Sequence, residues 1–334
     1  MITDILNKLY EGADLQQNEI SFFFSSMLKG EVSDIQASSF LTALKIKEPS
    51  PEEVYFASNV LLDNLGKLPK TNIDLIDLCG TGGDSKSTLN ISTISSLILA
   101  ALGVKVAKHG NRSVSSKVGS ADLIEKLGIN LDSSVESSIK SIKQKNFSFL
   151  YAPYFHKSMK NVGHIRKELK TRTIFNILGP LVNPLRPKKQ VLGVYDKSLM
   201  KVVADVLIKQ GVSRGFVVHG FDGMDEISIC DKTYIIEINN SKVKEFVFNP
   251  SDYGFNLATI DKLIIDSSEE SKEIALAILN NEIKDSRRDI CVLNAGAGLY
   301  IYGIVDSLAE AFEYVNAKLD SGEVYSNLVS KLII

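Results

Sequence analysis

The 334-residue sequence contains no tryptophan, only three cysteines and no excess of either charge. Its 38 lysines and arginines nearly balance 40 aspartates and glutamates, so no overall field recruits nucleic acid or an anionic membrane. The cysteines (Cys79, Cys230 and Cys291) lack metal-site spacing, which favours reduced thiols. Neither a signal-peptide pattern nor a membrane-length apolar run is found. We therefore expect a cytoplasmic protein with no nucleic-acid or membrane partner.

Nucleophilic catalysis also receives little support from the sequence. Only four histidines are present, at positions 109, 156, 164 and 219. None of them has a sequence neighbour arranged as in a catalytic triad or a zinc site.

Hydrophobic periodicity divides the chain into two parts. Helical spacing dominates residues 1–68, which predicts a small helical domain, joined by part of 158–184. In residues 69–334 strand and helix patterns alternate, which predicts a large α/β domain whose mainly parallel sheet is flanked by helices. The predicted strands are 75–79, 104–107, 147–151, 191–195, 215–219 and 234–238. A turn at Asn239-Asn240 before Val243–Val247 predicts a hairpin, and with it one antiparallel strand.

The segment Asp77–Asp84, DLCGTGGD, ends a buried strand in a glycine-rich turn. Glycines allow backbone N–H groups to approach an anion closely, and the helix predicted from residue 90 adds a favourable dipole. The spacing matches neither the dinucleotide loop nor the P-loop. The pattern thus predicts a phosphate loop of another kind, although a tight turn without a ligand fits it too.

Three further segments carry candidate ligand groups. Lys108–Asp122 places three cations among serines after a predicted strand, which suits a multiply charged phosphate. Gly220–Ser228 holds the adjacent carboxylates Asp225 and Glu226, oxygen ligands typical of Mg²⁺. Arg166–Pro184 contains arginines that suit a substrate carboxylate. Taken singly, each segment also fits a solvated loop or an ordinary capped helix.

Together, these segments resemble the anthranilate phosphoribosyltransferases over essentially the whole chain. The resemblance rests on GTGGD at 80–84, NIST at 90–93, KHGNRSVSS at 108–116, RTIFNILGPLVNP at 172–184 and the Asp225-Glu226 pair, in the family's order and spacing. The sequence departs from the family at two positions. Val114 replaces a smaller residue, and His164 stands where proline is common, in the stretch that we expect to be a loop before Arg166.

The resemblance implies a site for 5-phosphoribosyl-1-pyrophosphate (PRPP), for anthranilate and for Mg²⁺, with two ions per subunit. The implied PRPP-binding residues are Gly80, Gly83, Asp84, Thr88, Asn90, Ile91, Ser92, Thr93, Lys108, His109, Gly110, Asn111, Arg112, Ser113, Val114, Ser115, Ser116 and Ser120. The implied anthranilate-binding residues are Gly80, Asn111 and Arg166, and the implied metal ligands are Ser92, Asp225 and Glu226.

The family's fold, which is nucleoside phosphorylase-like, implies a helical domain hinged on an α/β domain, and dimerisation through the helical domain. The family's reaction forms N-(5-phosphoribosyl)anthranilate in tryptophan biosynthesis and needs no nucleophilic side chain of the enzyme. Three alternatives stay open. A pyrimidine nucleoside phosphorylase shares the architecture, but the acidic pair argues against it. A non-catalytic nucleic-acid-binding relative would be more basic. The third alternative is the group of phosphoribosyltransferases in which a strand ends in Asp-Asp before the phosphate turn. No such segment occurs in this sequence.

Overall fold

The computed structural model describes residues 1–69, 71–84, 86–112 and 118–332. Within these ranges the chain forms fifteen α-helices and one sheet of eight strands. The helices are α1 (Ile2–Tyr10), α2 (Gln17–Lys29), α3 (Asp34–Lys47), α4 (Pro51–Asp63), α5 (Ile91–Ala101), α6 (Ser120–Lys126), α7 (Val135–Lys145), α8 (Ala152–Phe155), α9 (Lys160–Leu169), α10 (Ile174–Leu178), α11 (Leu199–Lys209), α12 (Ser268–Leu279), α13 (Ser286–Tyr302), α14 (Leu308–Asp320) and α15 (Glu323–Lys331). The strands are β1 (Ile76–Gly80), β2 (Val106–Gly110), β3 (Leu131–Asp132), β4 (Phe147–Tyr151), β5 (Lys189–Gly193), β6 (Arg214–Gly220), β7 (Thr233–Asn239) and β8 (Lys242–Phe248).

The first four helices form the predicted N-terminal helical bundle. Local sequence sets their limits, since Ser33 and Ser50 each cap a helix by accepting a hydrogen bond from an N–H three residues later. The rings of Phe23 and Phe40 stack with centroids 3.9 Å apart in the buried centre of the bundle. A small helical domain preceding a large α/β domain is therefore confirmed.

Two later helices also pack against this bundle. The Asn161 side chain of α9 donates a 2.7 Å hydrogen bond to the Leu28 carbonyl of α2. The Phe175 ring of α10 lies 5.6 Å from that of Phe24. We retain the division at residue 68, and the contribution of part of 158–184 to the small domain, as predictions. Residues 170–188, which run from α9 to β5, are called the connecting segment below.

The strands lie in the order β3-β4-β2-β1-β5-β6-β7-β8. The first six strands in this order are mutually parallel, whereas β7 is antiparallel to both β6 and β8. The mainly parallel sheet and the hairpin with one antiparallel strand are thereby confirmed. None of the helices in the described ranges is both long and apolar enough to span a membrane.

The strand registers place the glycine-rich loops at one edge of the sheet. Gly80, which ends β1, is in register with Gly193, which ends β5, and Gly193 is in turn in register with Val218 of β6. The carboxyl ends of β1, β2, β5 and β6 therefore meet at this edge, where parallel α/β sheets bind ligands. The strand predicted at 191–195 begins and ends two residues earlier than expected, because Tyr195 already belongs to the loop.

Candidate active site

The glycine-rich turn after β1 is held by hydrogen bonds to the end of β5 and the residues that follow it. The Thr81 N–H donates to the Gly193 carbonyl at 2.9 Å, and the Tyr195 N–H donates to the Thr81 hydroxyl at 3.0 Å. Gly82 and Gly83 have φ angles of +64° and +78°, which non-glycine side chains rarely adopt. The backbone conformation of residues 80–84 is therefore set by these hydrogen bonds and requires glycine at two positions. We call residues 80–84 the phosphate loop below.

The acidic pair of the loop after β6 lies directly against this turn. Asp225 is buried, and its Oδ2 accepts a 2.7 Å hydrogen bond from the Gly82 N–H. Glu226 Oε1 accepts a 3.2 Å hydrogen bond from the Ser92 N–H in the first turn of α5. The structure thus brings both predicted carboxylates together with the phosphate loop and with the start of α5.

Burial makes this arrangement electrostatically unfavourable for two negative charges. Desolvation and the nearby Asp84 raise the pKa of Asp225, while desolvation and Asp225 raise the pKa of Glu226. A divalent cation or a cationic side chain at this point would relieve the repulsion. The donor set therefore fits Mg²⁺, which prefers carboxylate and hydroxyl oxygens.

Two glycines create the space that Asp225 occupies. A Cβ atom on Gly193 would lie 1.6 Å from the Asp225 carbonyl oxygen, and one on Gly80 would lie 2.3 Å from Asp225 Oδ2. No side chain fits at either position without displacing the acidic pair. Gly80 was predicted for the site, whereas Gly193 was not, because only the strand register reveals its role.

Lys108 lies beneath the phosphate loop rather than in a solvated loop. Its ammonium group is buried, donates to the Leu78 carbonyl at 2.6 Å and lies 3.2 Å from the Ser92 hydroxyl. Burial lowers its pKa, and the charges of Asp77 and the acidic pair oppose this effect. Lys108 therefore links β1, β2 and the start of α5 through one cation.

Asp77 is a second buried charged group beneath the loop, and it was not predicted as a site residue. It accepts hydrogen bonds from Asn183 Nδ2 at 2.8 Å and from the His109 N–H at 3.4 Å. Desolvation raises its pKa to about 6 against the opposing charge of Lys108. Asn183 also donates to the Ala107 carbonyl at 2.8 Å, so Asp77 ties β1 and β2 to the connecting segment.

The start of α5 carries the predicted residues Asn90, Ile91, Ser92 and Thr93. Asn90 accepts a 2.8 Å hydrogen bond from the Ser271 hydroxyl, and the buried Thr93 hydroxyl has no partner among the described residues. Ile91 is buried in the core, and its N–H donates a 2.7 Å hydrogen bond to the Leu89 carbonyl. Thr88 pairs with Ile264 in an isolated antiparallel bridge, and Asp84 accepts a 3.1 Å hydrogen bond from the Lys86 N–H.

The basic loop is described only in part. The predicted residues Ser113, Val114, Ser115 and Ser116 lie outside the described residues. Arg112 forms ion pairs with Asp122 and Glu125 near α6, so its charge is directed at the protein's own carboxylates here. Asn111 is exposed, and its carbonyl accepts a 3.0 Å hydrogen bond from the Ser120 hydroxyl. A Cβ atom on Gly110 would lie 2.7 Å from the same hydroxyl, so a larger residue there would displace it.

The side chain of His109 faces the connecting segment rather than the basic loop. Its Nδ1 lies 3.2 Å from the Gly179 carbonyl, and its ring lies 5.3 Å from that of His156. His156 Nε2 in turn lies 2.9 Å from the Val182 carbonyl. Burial lowers the pKa of His109 to about 3 and that of His156 to about 4, so both rings are neutral near pH 7.

Arg166 lies on helix α9, so the expectation of a loop around it is wrong. His164 lies on the same helix and pairs with Asp34 of α3, a contact that proline would not make. The Arg166 guanidinium lies 5.4 Å from the centre of the Phe175 ring. Within the described part of the chain no carboxylate pairs with it, so its charge is available to an anionic ligand.

Arg172 belongs to the predicted motif at 172–184, but the sequence assigned it no ligand. Its Nη2 donates to the Gly83 carbonyl, and its guanidinium lies 4.0 Å from the centre of the Tyr195 ring. A cation from the connecting segment therefore reaches the phosphate loop, a contact that sequence spacing does not reveal.

These features define a class of protein in which a glycine-rich loop and an acidic pair meet at the carboxyl edge of an α/β sheet, beside a helical bundle. Two family models match this architecture. Residues 3–64 match the helical bundle domain of a glycosyl transferase family, and residues 72–325 match its a/b domain. The chain belongs to this family.

The relatives narrow the family further. The chain is 42% identical to the anthranilate phosphoribosyltransferase of Persephonella marina, over 98% of this chain and 97% of that protein. The crystal structure of the Thermus thermophilus enzyme of the same name superposes with a TM-score of 0.90 at 35% identity, covering 98% of both chains. The Saccharomyces cerevisiae enzyme in complex with PRPP and Mg gives 0.89 at 26% identity, covering 99% and 96%. The resemblance to anthranilate phosphoribosyltransferases is confirmed.

Proposed function

We propose that the protein transfers the 5-phosphoribosyl group of PRPP to the amine of anthranilate, releasing pyrophosphate and forming N-(5-phosphoribosyl)anthranilate in tryptophan biosynthesis. The observation that carries this proposal is the acidic pair, Asp225 and Glu226, held against the phosphate loop and the first turn of α5. The relatives are named for this activity, and one yeast complex contains 4-fluoroanthranilate. The phosphorylase and nucleic-acid-binding alternatives find no support among them.

Displacement at the anomeric carbon needs little covalent participation by the protein. The bond from C1 to the pyrophosphate oxygen breaks, the amine nitrogen forms a bond to C1, and the amine loses a proton. Positive charge develops on the ribose, so the protein must stabilise the departing anion and align the amine. An aromatic amine is neutral at pH 7, and its proton is lost late to solvent. This is why the site needs no strong base.

Several predicted residues are suited to holding the sugar diphosphate. We place it against Gly80, Gly83, Asp84, Thr88 and Asn90–Thr93, with residues 110–116 and Ser120 beside the pyrophosphate and Lys108 beneath it. The dipole of α5 favours an anion at its start, although the N–H groups of Ser92 and Thr93 are hydrogen-bonded to Glu226 and to the Asn90 carbonyl in the structure. The buried Lys108 Nζ lies beneath the loop, within hydrogen-bond distance of the Leu78 carbonyl and the Ser92 hydroxyl.

Asp225, Glu226 and Ser92 would hold Mg²⁺. When bound, Mg²⁺ neutralises charge that develops on the departing pyrophosphate. Among the described residues no three His, Cys, Asp or Glu side chains approach closely enough to hold a metal on their own. Substrate oxygens and water would therefore complete the coordination, as is usual for Mg²⁺. Two ions per subunit, as the resemblance implies, remain part of this proposal.

Arg166 is the residue proposed to receive the anthranilate carboxylate, with Asn111 and Gly80 nearby in the same subsite. Its charge is unpaired in the described structure and its guanidinium packs over Phe175, which orients it. A guanidinium binds a carboxylate bidentately, which fixes the position of the amine as well as the acid.

We further propose a homodimer formed through the helical domain, in the cytoplasm. Ile35 and Ile46 lie on one face of α3 and are 82% and 78% exposed. Tyr10 of α1 reaches the same face, where its hydroxyl lies 2.6 Å from that of Ser39. An Ile35→Glu, Ile46→Glu variant should run as a monomer in light scattering. A dimer of unchanged affinity would exclude this face.

An anthranilate fluorescence assay with PRPP and Mg²⁺ tests the proposed reaction. Anthranilate consumption should require all three components together with the protein. Consumption that persists without PRPP, or its absence with folded protein, would refute the proposed reaction.

A further inference from the structure

Arg172 connects three parts of the molecule that the reaction must keep aligned. The preceding residue, Thr171, accepts a hydrogen bond from Lys45 of α3, so this point of the connecting segment is anchored to the helical bundle. The Arg172 guanidinium extends in the other direction and donates to the Gly83 carbonyl. Two adjacent residues thus join the helical bundle to the phosphate loop.

The guanidinium is held by more than one contact. It stacks on the Tyr195 ring at 4.0 Å, and the Tyr195 N–H is itself hydrogen-bonded to the Thr81 hydroxyl at 3.0 Å. A Cβ atom on Gly83 would lie 3.5 Å from Arg172 Nε, which shows how closely the arginine follows the loop. Arg172 therefore contacts the phosphate loop at Gly83, and Tyr195 contacts it at Thr81. We call this pair of contacts the clasp.

The charge of Arg172 also suits its surroundings. It acts to lower the pKa of Asp84 and of Asp225, against the desolvation that raises both. The cation thereby stabilises the ionised forms of Asp84, within the phosphate loop, and of Asp225, which is hydrogen-bonded to it. Lys or Gln at this position would lack the planar guanidinium, which donates to the Gly83 carbonyl while it stacks on the Tyr195 ring.

We propose that Arg172 is a positioning residue that holds the phosphate loop in its ligand-binding conformation from the connecting segment. It acts on the sugar diphosphate through the loop, not by contact with the acceptor. The affinity for PRPP then depends on where the helical bundle holds residues 171 and 172. The inference rests on the proposed function, because PRPP is the ligand whose binding the loop would serve.

Hydrogen exchange in the ligand-free protein tests the inference without reference to activity. The amides of Thr81 and Gly82 are hydrogen-bonded, so their exchange reports opening of the loop. In Arg172→Gln, exchange in the peptide covering residues 80–84 should become faster, whereas Arg172→Lys should give an intermediate rate. A matched control is Arg214→Gln, since Arg214 stacks on Tyr300 at the amino end of β6, far from the site. Unchanged exchange in Arg172→Gln would overturn the proposal, even if PRPP bound more weakly.

Calorimetric binding of PRPP with Mg²⁺ provides the second measurement. Loss of one stacked, charge-assisted contact should raise the Kd of Arg172→Gln by about 5- to 10-fold. The KM for anthranilate at saturating PRPP should stay within about two-fold of wild type, as expected if the acceptor site is not touched. A rise confined to the KM for anthranilate would overturn the proposal. Failure of the wild-type protein to bind PRPP would instead refute the proposed function and leave the exchange result standing.

If Arg172→Gln fails to fold, Tyr195→Leu provides an independent variant. It removes the ring on which the guanidinium stacks but retains the arginine. Faster exchange at residues 80–84 is expected here too, and an unchanged rate would contradict the clasp.

Discussion

The Asp225 carboxylate accepts a 2.7 Å hydrogen bond from the Gly82 N–H, although the two residues are 143 positions apart in the chain. This contact joins the loop after β6 to the phosphate loop after β1. Because both loops start from the same edge of one sheet, the fold brings an acidic pair and an anion-binding turn together.

Gly193→Ala should disrupt the acidic pair without touching any ligand. The new Cβ would lie 1.6 Å from the Asp225 carbonyl oxygen, so the loop after β6 must move. We expect kcat/KM to fall by at least ~100-fold and the free energy of unfolding to fall by about 1–3 kcal/mol. Steady-state kinetics and urea denaturation measure both effects.

Gly163→Ala is the matched control, because nothing lies within 4 Å of a Cβ at this helical position. That variant should be slightly more stable and fully active. If Gly193→Ala instead has wild-type kinetics, Asp225 can be displaced without loss of activity, which would contradict its proposed role.

Arg166→Ala should weaken anthranilate binding far more than PRPP binding. Loss of a charge-assisted contact to the carboxylate predicts a rise of about 10- to 100-fold in the KM for anthranilate. Varying each substrate at saturating levels of the other separates the two constants. The neighbouring Lys167→Ala, exposed on the same helix, is the control. Equal effects on both KM values would remove Arg166 from the acceptor subsite.

Replacing Asp225 by Asn and Glu226 by Gln should abolish Mg²⁺-dependent turnover while preserving the shape of the loop. Neutral amides remove the charge that attracts the metal but retain one oxygen each. Titration of activity against Mg²⁺ measures the effect, with Asp231→Asn in the same loop as the control. An unchanged Mg²⁺ requirement in the double variant would mean that the metal binds elsewhere.

Against the opposite effect of the raised pKa values of Asp77, Asp225 and Glu226, the contribution of His109 and His156 to stability should decrease as the pH falls below about 6.5. Their pKa values in the folded protein, about 3 and about 4, lie below the ordinary value near 6.5. The unfolded chain therefore takes up protons first, and stability present above pH 6.5 is lost as the pH approaches 4. Each unit of difference corresponds to about 1.4 kcal/mol.

Urea denaturation at pH 7 and pH 4.5 tests this linkage. From pH 7 to pH 4.5 the free energy of unfolding of His109→Gln, His156→Gln should rise relative to that of wild type, because neither glutamine titrates and the buried acids are common to both proteins. The control is His164→Gln, since that histidine is half-exposed on α9. A double variant with the same pH slope as wild type would show that these rings are not held neutral.

The architecture is predicted well from the sequence, because local sequence patterns govern it. Alternating strands and helices, and the Asn239-Asn240 turn, act over a few residues, and the strand at 147–151 was predicted with its observed limits. The two-residue strand β3 was missed, since so short a segment has no periodicity to detect. Arg166 was expected in a loop because proline is common nearby in the family, yet here the helix continues through His164.

The site was predictable only where a motif carries its chemistry. The acidic pair and the glycine-rich turn were visible as motifs, and the structure brings them together. Asp77, Gly193 and the contact of Arg172 with Gly83 were not, because each depends on strand register or on packing between distant segments. A buried acid within an apolar strand, as Asp77 is, was the one available signal.

The most direct test of the central claim is to identify the product formed from PRPP, anthranilate and Mg²⁺ by mass spectrometry, together with the pyrophosphate released. The account predicts N-(5-phosphoribosyl)anthranilate and pyrophosphate in equal amounts with the wild-type protein. Neither should form with Asp225→Asn, Glu226→Gln. Pyrophosphate release without the anthranilate adduct, or adduct formed equally by the double variant, would contradict it.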